Sequence, residues 1–573
     1  MSDERIPLLR NIKPKSYTMK QFAMLFIAWQ LLSSHAGYAQ PVIREFNVLM
    51  PDGVRLYTRA GLPEGEGPFP VVLLRTPYNI NQHQYDLEYF TARGYAFVMQ
   101  DVRGKYMSDG SFTPFINERA DGLEMVDWIE RQEWFGGELF LYGSSYQAYS
   151  SMVMADSERE SIRGIFNNSG WIDNNQIIHF NGISHIMLNI PWLYMFDATR
   201  EMRRPSMPFT AMLNHLPVAD SMRELGVDGS LWDMGDGLFR LDQTFEYDKW
   251  QAPVFHLTGW MDFTHPGTLK IFEKLHALNV PQHLVVGPWQ HDQVFTRGAK
   301  VGDYDAGEVA VFGRDSVLSL ASGWFDRIRS GEPIMPEIRL FNMFGDKWVR
   351  LCPGKSILPR PESFHAYLGM GGALTDEPEM QGAGHSLHSD PMDPVPTIGG
   401  ANVHFIHEFL GIRNHLPKAE RADVLGFYSR PAPGEISFTG RPETILYVES
   451  DAPDFDLVVQ LVKTDSLGQY VYNITENAFR LSYLLEYGQE KIRKSGNAGY
   501  EVRLDLGWTS FSLAEGERLG LLISGSNFPK LERNLHTPDE NHAASTGEAA
   551  TIRILTGGNT SSAFRFNSFT VLP

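Results

Sequence analysis

The chain has 573 residues, of which 43% are hydrophobic, and a formal net charge of −19. This length and hydrophobic content predict a large buried core divided among several domains. The acidic balance argues against binding to nucleic acid or to anionic membrane surfaces, because both carry negative charge. The single cysteine, Cys352, excludes an intrachain disulfide.

The N-terminal region has the pattern of a secretory signal peptide. Lys20 precedes an apolar stretch from Phe22 to Leu32, and the small residues Gly37 and Ala39 follow. We therefore predict a signal peptide over residues 1–39, cleaved after Ala39, and a secreted or periplasmic protein. The alternative is a buried or membrane-anchoring helix. However, the apolar stretch of about eleven residues is shorter than the roughly 20 needed to span a bilayer, so no stable membrane insertion is expected after cleavage.

The remaining chain divides into three predicted domains. Residues 40–171 and 251–349 contain short, nearly continuous apolar runs such as FPVVLLRTPY and ELFLYGSS, separated by stretches with helical spacing. That pattern predicts an α/β domain with a parallel sheet. Residues 172–250, rich in Met, Trp, Phe and His, predict an inserted helical cap. Alternating runs over residues 350–573 predict an antiparallel β-sandwich, a jelly roll.

The segment LYGSSYQA, where an apolar run meets a helix-like run, contains a candidate nucleophile. A serine hydroxyl attacks only when a base removes its proton, and a sharp strand-to-helix turn exposes its oxygen. Gly143 two residues earlier gives room for that turn, so Ser145 is the nucleophile in this register and Ser144 points elsewhere. Taken alone, the pattern also fits an ordinary turn.

The next two strand-like runs supply the partners that such a serine needs. Asp262 follows PVFHLTGW, and His291 follows HLVVGPW. In hydrolases of this architecture the order is serine, acid, histidine, with acid and histidine at the carboxyl ends of later strands. His265 and Asp292 lie further into the loops, and His283 lies at the wrong end of its strand. The sequence therefore predicts a triad of the serine with Asp262 and His291.

With these residues in place, the chain resembles the cocaine esterase family of α/β-hydrolases, which includes α-amino acid ester hydrolases, glutaryl acylases and Xaa-Pro dipeptidyl peptidases. The resemblance implies an α/β-hydrolase core with an inserted helical cap and a C-terminal jelly-roll domain. It also implies that the hydroxyl of Tyr78 and the backbone N–H of Tyr146 form the oxyanion hole, although a structural role in a turn is the alternative for Tyr78. The motifs that carry the resemblance are MPDGVRLYT, RTPY, QDVRGKYMSDG, GSSYQA, GWMD, GPWQH, SDAPDFDLVVQLV and SGSNFPKLERN.

Three positions depart from the family pattern. Ala148 and Asp292 stand where relatives usually have glycine. Relatives that hold an α-amino group do so with acidic residues at the second and third positions after the triad aspartate, where this chain has Thr264 and His265. We therefore expect no ammonium site of that kind, although Asp173 and Asp197 in the cap leave another acid possible.

These residues predict a serine hydrolase that cleaves a small-molecule acyl ester or amide through an acyl-enzyme, without a metal or organic cofactor. One alternative is an α-amino acid ester or β-lactam acyl hydrolase-transferase, or an Xaa-Pro dipeptidyl peptidase. Another, from a different class, is a non-catalytic glycan-binding protein. Trp171 and Trp260 are expected to line the substrate pocket, although aromatic residues there are as often core. The sequence leaves the acyl group, the leaving group and the oligomeric state open, a homo-oligomer included.

Overall fold

The computed structural model describes residues 40–571, except for gaps at 175–176, 197–199, 202–212, 219, 221–222, 224–244, 352–363, 404–408, 489, 496–498 and 538–543. The predicted signal peptide at 1–39, much of the predicted cap at 172–250, and Asp197 lie outside the described residues. None of the helices in the described part of the chain has the length and apolar character needed to cross a bilayer.

Within the described residues, the N-terminal region forms a ten-stranded sheet in the order β1-β2-β4-β3-β5-β6-β9-β10-β13-β14. The strands from β4 to β13 in this order run parallel, and β1, β2 and β14 add antiparallel edges. Two short pairs, β7-β8 and β11-β12, stand apart. The elements are β1 (Val42–Leu49), β2 (Arg55–Leu62), β3 (Phe69–Thr76), α1 (Gln84–Thr91), β4 (Ala96–Asp101), α2 (Glu118–Glu130), β5 (Phe135–Ser144), α3 (Tyr146–Met152), β6 (Ile162–Asn168), β7 (His179–Phe180), β8 (Ile183–Ser184), α4 (Ile186–Phe196), β9 (Val254–Met261), α5 (His265–Ala277), β10 (Gln282–Gln290), β11 (Lys300–Val301), β12 (Tyr304–Asp305), α6 (Arg314–Ser330), β13 (Glu337–Asn342) and β14 (Lys347–Leu351).

The central parallel strands of the sheet are buried on both faces, which explains their continuous apolar runs. In strand β3, Val71 and Leu73 pack into one core cluster with helix α2, whereas Val72 and Leu74 pack into another with helices α1 and α6. Side chains alternate across a strand, so a strand covered on both sides needs apolar residues at every position. The carboxyl ends of the parallel strands then share one edge.

The described part of the C-terminal region forms a thirteen-stranded, almost entirely antiparallel sheet system whose strand content agrees with the predicted β-sandwich. The jelly-roll connectivity stays a prediction. Its elements are β15 (Phe364–Gly369), β16 (Ala373–Thr375), β17 (Ala383–Ser389), α7 (Leu416–Ala419), β18 (Val424–Tyr428), β19 (Ile436–Ser450), β20 (Asp456–Thr464), β21 (Val471–Arg480), α8 (Leu481–Tyr487), β22 (Ile492–Ser495), β23 (Gly499–Asp505), β24 (Thr509–Leu513), β25 (Arg518–Ser524), β26 (Ala550–Thr556) and β27 (Ala563–Ser568).

One hydrophobic core joins the two regions. It includes Trp260 and Phe272 from the α/β region together with Phe438 and Phe511 from the β-rich region. At its edge, Glu273 on helix α5 accepts hydrogen bonds from Arg441 and from the indole of Trp508, each at 2.7 Å. Helix α5 is therefore hydrogen-bonded to the C-terminal region through Glu273.

Candidate active site

Ser145 occupies the turn between strand β5 and helix α3, with φ 57° and ψ −127°. A positive φ is uncommon outside glycine and fits the strained strand-to-helix turn that exposes a nucleophile. Gly143 permits this turn, because a Cβ there would collide with the backbone of Gln147. The hydroxyl of Ser144 is turned aside and accepts a hydrogen bond from Asn168 Nδ2 at 2.9 Å. The turn thus presents Ser145.

Ala148, one of the departures from the family pattern, is accommodated by a glycine elsewhere. Its side chain is fully buried. A Cβ added to Gly170 would lie 2.6 Å from the Cβ of Ala148. The methyl group on helix α3 therefore fits because residue 170 carries no side chain.

Ser145, His291 and Asp262 form one hydrogen-bonded series. The distance from Ser145 Oγ to His291 Nε2 is 3.0 Å, and His291 Nδ1 lies 2.9 Å from Asp262 Oδ1. Asp262 follows β9 and His291 follows β10, which are parallel neighbours, so their carboxyl ends bring the two side chains together. This arrangement can remove the serine proton and stabilise the resulting imidazolium.

Asp262 is held in place by hydrogen bonds from residues other than His291. Its Oδ1 also accepts the backbone N–H and the hydroxyl of Thr264, at 2.9 and 2.8 Å, and its Oδ2 accepts the hydroxyl of Ser169 at 2.6 Å. Burial alone would raise the pKa of Asp262, but the charge of His291 and these hydrogen bonds outweigh it, so the pKa is lowered. Asp262 therefore stays a carboxylate.

Asp292 is a second carboxylate beside the imidazole. Its Oδ2 lies 3.9 Å from His291 Nε2, and its side chain is 49% exposed. Its backbone is left-handed, with φ 61°, a conformation that favours glycine and explains the usual residue at this position. Burial would lower the pKa of His291, but the carboxylates of Asp262 and Asp292 raise it. Asp292 thus contributes to the raised pKa of His291, while Ser145 Oγ lies closer to His291 Nε2 than the Asp292 carboxylate does.

The hydroxyl of Tyr78 lies beside the nucleophile. It accepts a hydrogen bond from the indole N–H of Trp192 at 3.3 Å and also interacts with the side chain of Ser145. Burial raises the pKa of Tyr78, the nearby Asp292 carboxylate adds to this rise, and the hydrogen bonds with Trp192 and Ser145 oppose it in part. The phenol therefore stays protonated and able to donate.

Tyr146 begins helix α3 directly after the nucleophile. The first backbone N–H groups of a helix have no intrahelical acceptor, so this N–H is available to an oxyanion. The side chain serves as an anchor: its hydroxyl donates to Glu118 Oε1 at 2.6 Å and accepts the backbone N–H of Phe115 at 2.8 Å. Burial raises the pKa of Glu118 while the Tyr146 hydrogen bond lowers it in part.

The two tryptophans predicted to line the pocket lie in different places. Trp171 is 4% exposed, donates to Asn174 Oδ1 at 2.7 Å, and belongs to the aromatic cluster that contains Tyr146. Trp260 is 3% exposed, belongs to the joint core of the two regions, and donates to the carbonyl of Phe341 at 2.7 Å. Trp260 thus lies in the core shared by the two regions, where its indole N–H is bonded to the protein backbone.

The positions where relatives carry ammonium-binding acids are committed to other contacts. The hydroxyl of Thr264 donates to Asp262, and His265 Nδ1 lies 3.0 Å from the Asp262 carbonyl oxygen. Burial lowers the pKa of His265, so the imidazole is neutral. Asp173 forms an ion pair with Lys270, which neutralises its charge.

Sequence reasoning missed three residues that support the site: Ser169, Glu118 and Trp192. Ser169 directly follows strand β6, which lies between β5 and β9, so the rule on carboxyl ends that identified Asp262 applies to it equally. Glu118 and Trp192 carry no local signal, because only the packing of helices α2 and α4 brings them to the site.

Comparisons with known proteins cover nearly all of the described chain. A family model described as X-Pro dipeptidyl-peptidase (S15 family) matches residues 52–293, which include Ser145, Asp262 and His291. The model of the X-Pro dipeptidyl-peptidase C-terminal non-catalytic domain matches residues 335–563. Cocaine esterase of Rhodococcus sp. (strain MB1 Bresler) is 27% identical over 542 residues, which cover 86% of this chain and 92% of that relative.

Solved structures share the fold. An aminopeptidase from the marine sediment archaeon Thaumarchaeota archaeon is 19% identical and covers 99% of both chains, with a TM-score of 0.78. An α-amino acid ester hydrolase is 21% identical, covering 94% of this chain and 98% of its own, with a TM-score of 0.74. A CocE/NonD family hydrolase from Staphylococcus aureus is 16% identical, covering 92% and 94%, with a TM-score of 0.64. The predicted α/β-hydrolase fold with a strand-rich C-terminal domain is confirmed.

Proposed function

Because the chain belongs to the serine-hydrolase family that unites the S15 peptidases with cocaine esterase, we propose that it cleaves an acyl ester or amide through an acyl-enzyme. The observation that carries the proposal is the continuous series from Ser145 through His291 to Asp262, with distances of 3.0 and 2.9 Å. In this role Ser145 is the nucleophile, His291 the general base and then acid, and Asp262 the group that orients the histidine.

The proposed reaction has two stages. Ser145 Oγ attacks the acyl carbon while its proton passes to His291 Nε2, and the tetrahedral oxyanion accepts hydrogen bonds from the Tyr78 hydroxyl and the Tyr146 N–H. When this intermediate collapses, His291 gives the proton to the leaving group and the acyl group stays on Ser145. A water molecule, deprotonated by His291, then attacks the acyl carbon, and the second tetrahedral intermediate collapses as His291 returns the proton to Ser145 Oγ and the acid is released.

The preferred substrates lack a free α-amine. A buried ammonium group needs a nearby opposite charge, because an unpaired buried cation costs several kcal/mol. Among the described residues at these positions, Thr264 and His265 are neutral and already bonded, and Asp173 is paired with Lys270, while Asp197 lies outside the described residues. Phenylacetyl or simple aliphatic esters should therefore be better substrates than phenylglycine methyl ester.

The protein is proposed to act outside the cytoplasm, in the periplasm or the medium. The signal-peptide pattern of residues 1–39 supports this location.

One screen tests the activity and the substrate class together. Purified mature protein is assayed against acyl esters, amino acid esters, Xaa-Pro dipeptide amides and β-lactams, with labelling by a fluorophosphonate as a substrate-independent readout of the nucleophile. Absence of both labelling and turnover would overturn the proposal. A tenfold higher kcat/KM for phenylglycine methyl ester than for methyl phenylacetate, or a clear preference for the dipeptide amides, would favour an amine-binding enzyme instead.

A further inference from the structure

Helix α4 brings two aromatic side chains against Tyr78. The indole N–H of Trp192 lies 3.3 Å from the Tyr78 hydroxyl oxygen. One turn further along the helix, the ring of Phe196 meets the ring of Tyr78 edge-on at 5.1 Å. One residue of α4 thus contacts the polar end of Tyr78 and another contacts its ring.

The direction of the Trp192 hydrogen bond determines what Tyr78 can do. An indole N–H is a donor only, so the oxygen of Tyr78 accepts this bond and its single proton is left for another acceptor. The Tyr78 hydroxyl also interacts with Ser145, beside which the oxyanion of the proposed reaction forms. A hydroxyl that accepts one hydrogen bond becomes a stronger donor in the next, since bonds in a chain polarise one another.

Trp192 is itself held in place by the other side of the proposed oxyanion hole. Its ring stacks on Tyr146 at 5.6 Å with an interplanar angle of 20°, and on Phe115 at 6.1 Å with an angle of 16°. Phe115 in turn donates its backbone N–H to the Tyr146 hydroxyl. The indole therefore bridges the two residues that supply the proposed oxyanion donors.

We propose that Trp192 is a positioning residue for the oxyanion hole, which aims the Tyr78 hydroxyl proton at the reacting centre through its indole N–H. This inference rests on the proposed function. It makes the position of helix α4 against Tyr78 a requirement for full transition-state stabilisation.

A double-mutant cycle tests the mechanism. Trp192→Phe keeps an aromatic ring and removes the donor, so we expect kcat to fall about 5- to 10-fold with little change in KM, the size of one ordinary hydrogen bond. Tyr78→Phe should lower kcat more. In the Tyr78→Phe background, Trp192→Phe should then have no further effect on kcat, because the hydroxyl it orients is gone.

A matched control removes an indole donor elsewhere. Trp250 is buried and donates to the Ala252 carbonyl at 2.8 Å, so Trp250→Phe is expected to leave kcat unchanged. If Trp192→Phe does not fold, 3-benzothienylalanine incorporated at position 192 keeps the bicyclic shape and lacks the N–H, and the same fall in kcat is expected.

The outcomes separate this inference from the function on which it rests. A wild-type protein without turnover or labelling, or an unchanged kcat in Tyr78→Phe, would count against the proposed chemistry. An active wild type, an impaired Tyr78→Phe and an unaffected Trp192→Phe would overturn the positioning role alone. The same fold-loss from Trp192→Phe in both backgrounds would overturn it as well, because Trp192 would then act through packing.

Discussion

Replacing Asp292 by asparagine should move the pH dependence of hydrolysis toward lower pH. The Asp292 carboxylate lies 3.9 Å from His291 Nε2 and favours the protonated imidazole. Two unit charges at about 4 Å interact by about 1 kcal/mol in water and about 4 kcal/mol at an effective dielectric constant of about 20. Because the Asp292 side chain is 49% exposed, solvent screening favours the lower value, equivalent to about 0.7 pKa unit.

The sign follows from the role of the imidazole. The general base is active when neutral, so the rate rises as pH passes through the pKa of His291. Removing a carboxylate that raises this pKa shifts the acid limb of the kcat/KM profile downward by about 0.7 pH unit. High salt should shift the wild-type limb in the same direction, because it screens the exposed charge.

The assay is kcat/KM for one well-hydrolysed ester, measured across the acid limb for the wild type and Asp292→Asn. Asp376→Asn is the matched control, since Asp376 is 82% exposed in the C-terminal region and its loss changes the net charge equally. The reasoning would be refuted if the acid limb of the kcat/KM profile of Asp292→Asn stayed at the wild-type pH or moved to higher pH. An equal shift of this limb in Asp376→Asn would refute it as well.

Ser145→Ala should abolish labelling and lower turnover on the order of 10⁴-fold or more, while Ser144→Ala keeps substantial activity; labelling of the Ser145 variant would show that the register is wrong. Tyr78→Phe should lower kcat by roughly 10²- to 10³-fold with little change in KM, and an unchanged kcat would make Tyr78 structural. Ser169→Ala removes one hydrogen bond from buried Asp262, so kcat/KM should fall roughly 10-fold with a modest drop in Tm. A lower Tm with an unchanged kcat/KM would show that Ser169 stabilises the fold and does not contribute to catalysis. N-terminal sequencing of exported protein should begin at Gln40, and an uncleaved chain in the membrane would contradict the signal-peptide prediction.

The parts of the site that could be predicted from the sequence are those set by strand topology. Asp262 and His291 each follow a continuous apolar run, and parallel strands place such residues at one edge of the sheet. Ser145 was recognisable because the glycine and the turn that it needs are local. The fold class followed from the same runs, because a strand buried on both faces leaves a distinctive pattern.

The parts that could not be predicted depend on contacts between distant segments. An apolar side chain such as Trp260 looks the same in a sequence whether it faces a pocket or a neighbouring domain, and here the C-terminal region covers it. Asp292 was visible as a departure from glycine, but its 3.9 Å approach to His291 depends on a left-handed backbone that the sequence does not specify. Trp192 reaches Tyr78 across more than a hundred residues of chain.

The contact of Glu273 with Arg441 and Trp508 bears on how such enzymes diversify. Helix α5, which carries Glu273, begins just after Asp262, so the C-terminal region braces the segment that holds the acid of the proposed triad. A chimaera that takes its C-terminal region from a relative would have different residues in contact with this helix. The residues of this contact are therefore expected to co-vary during evolution. Exchange of the C-terminal region should succeed only when residues 273, 441 and 508 all come from the same parent protein.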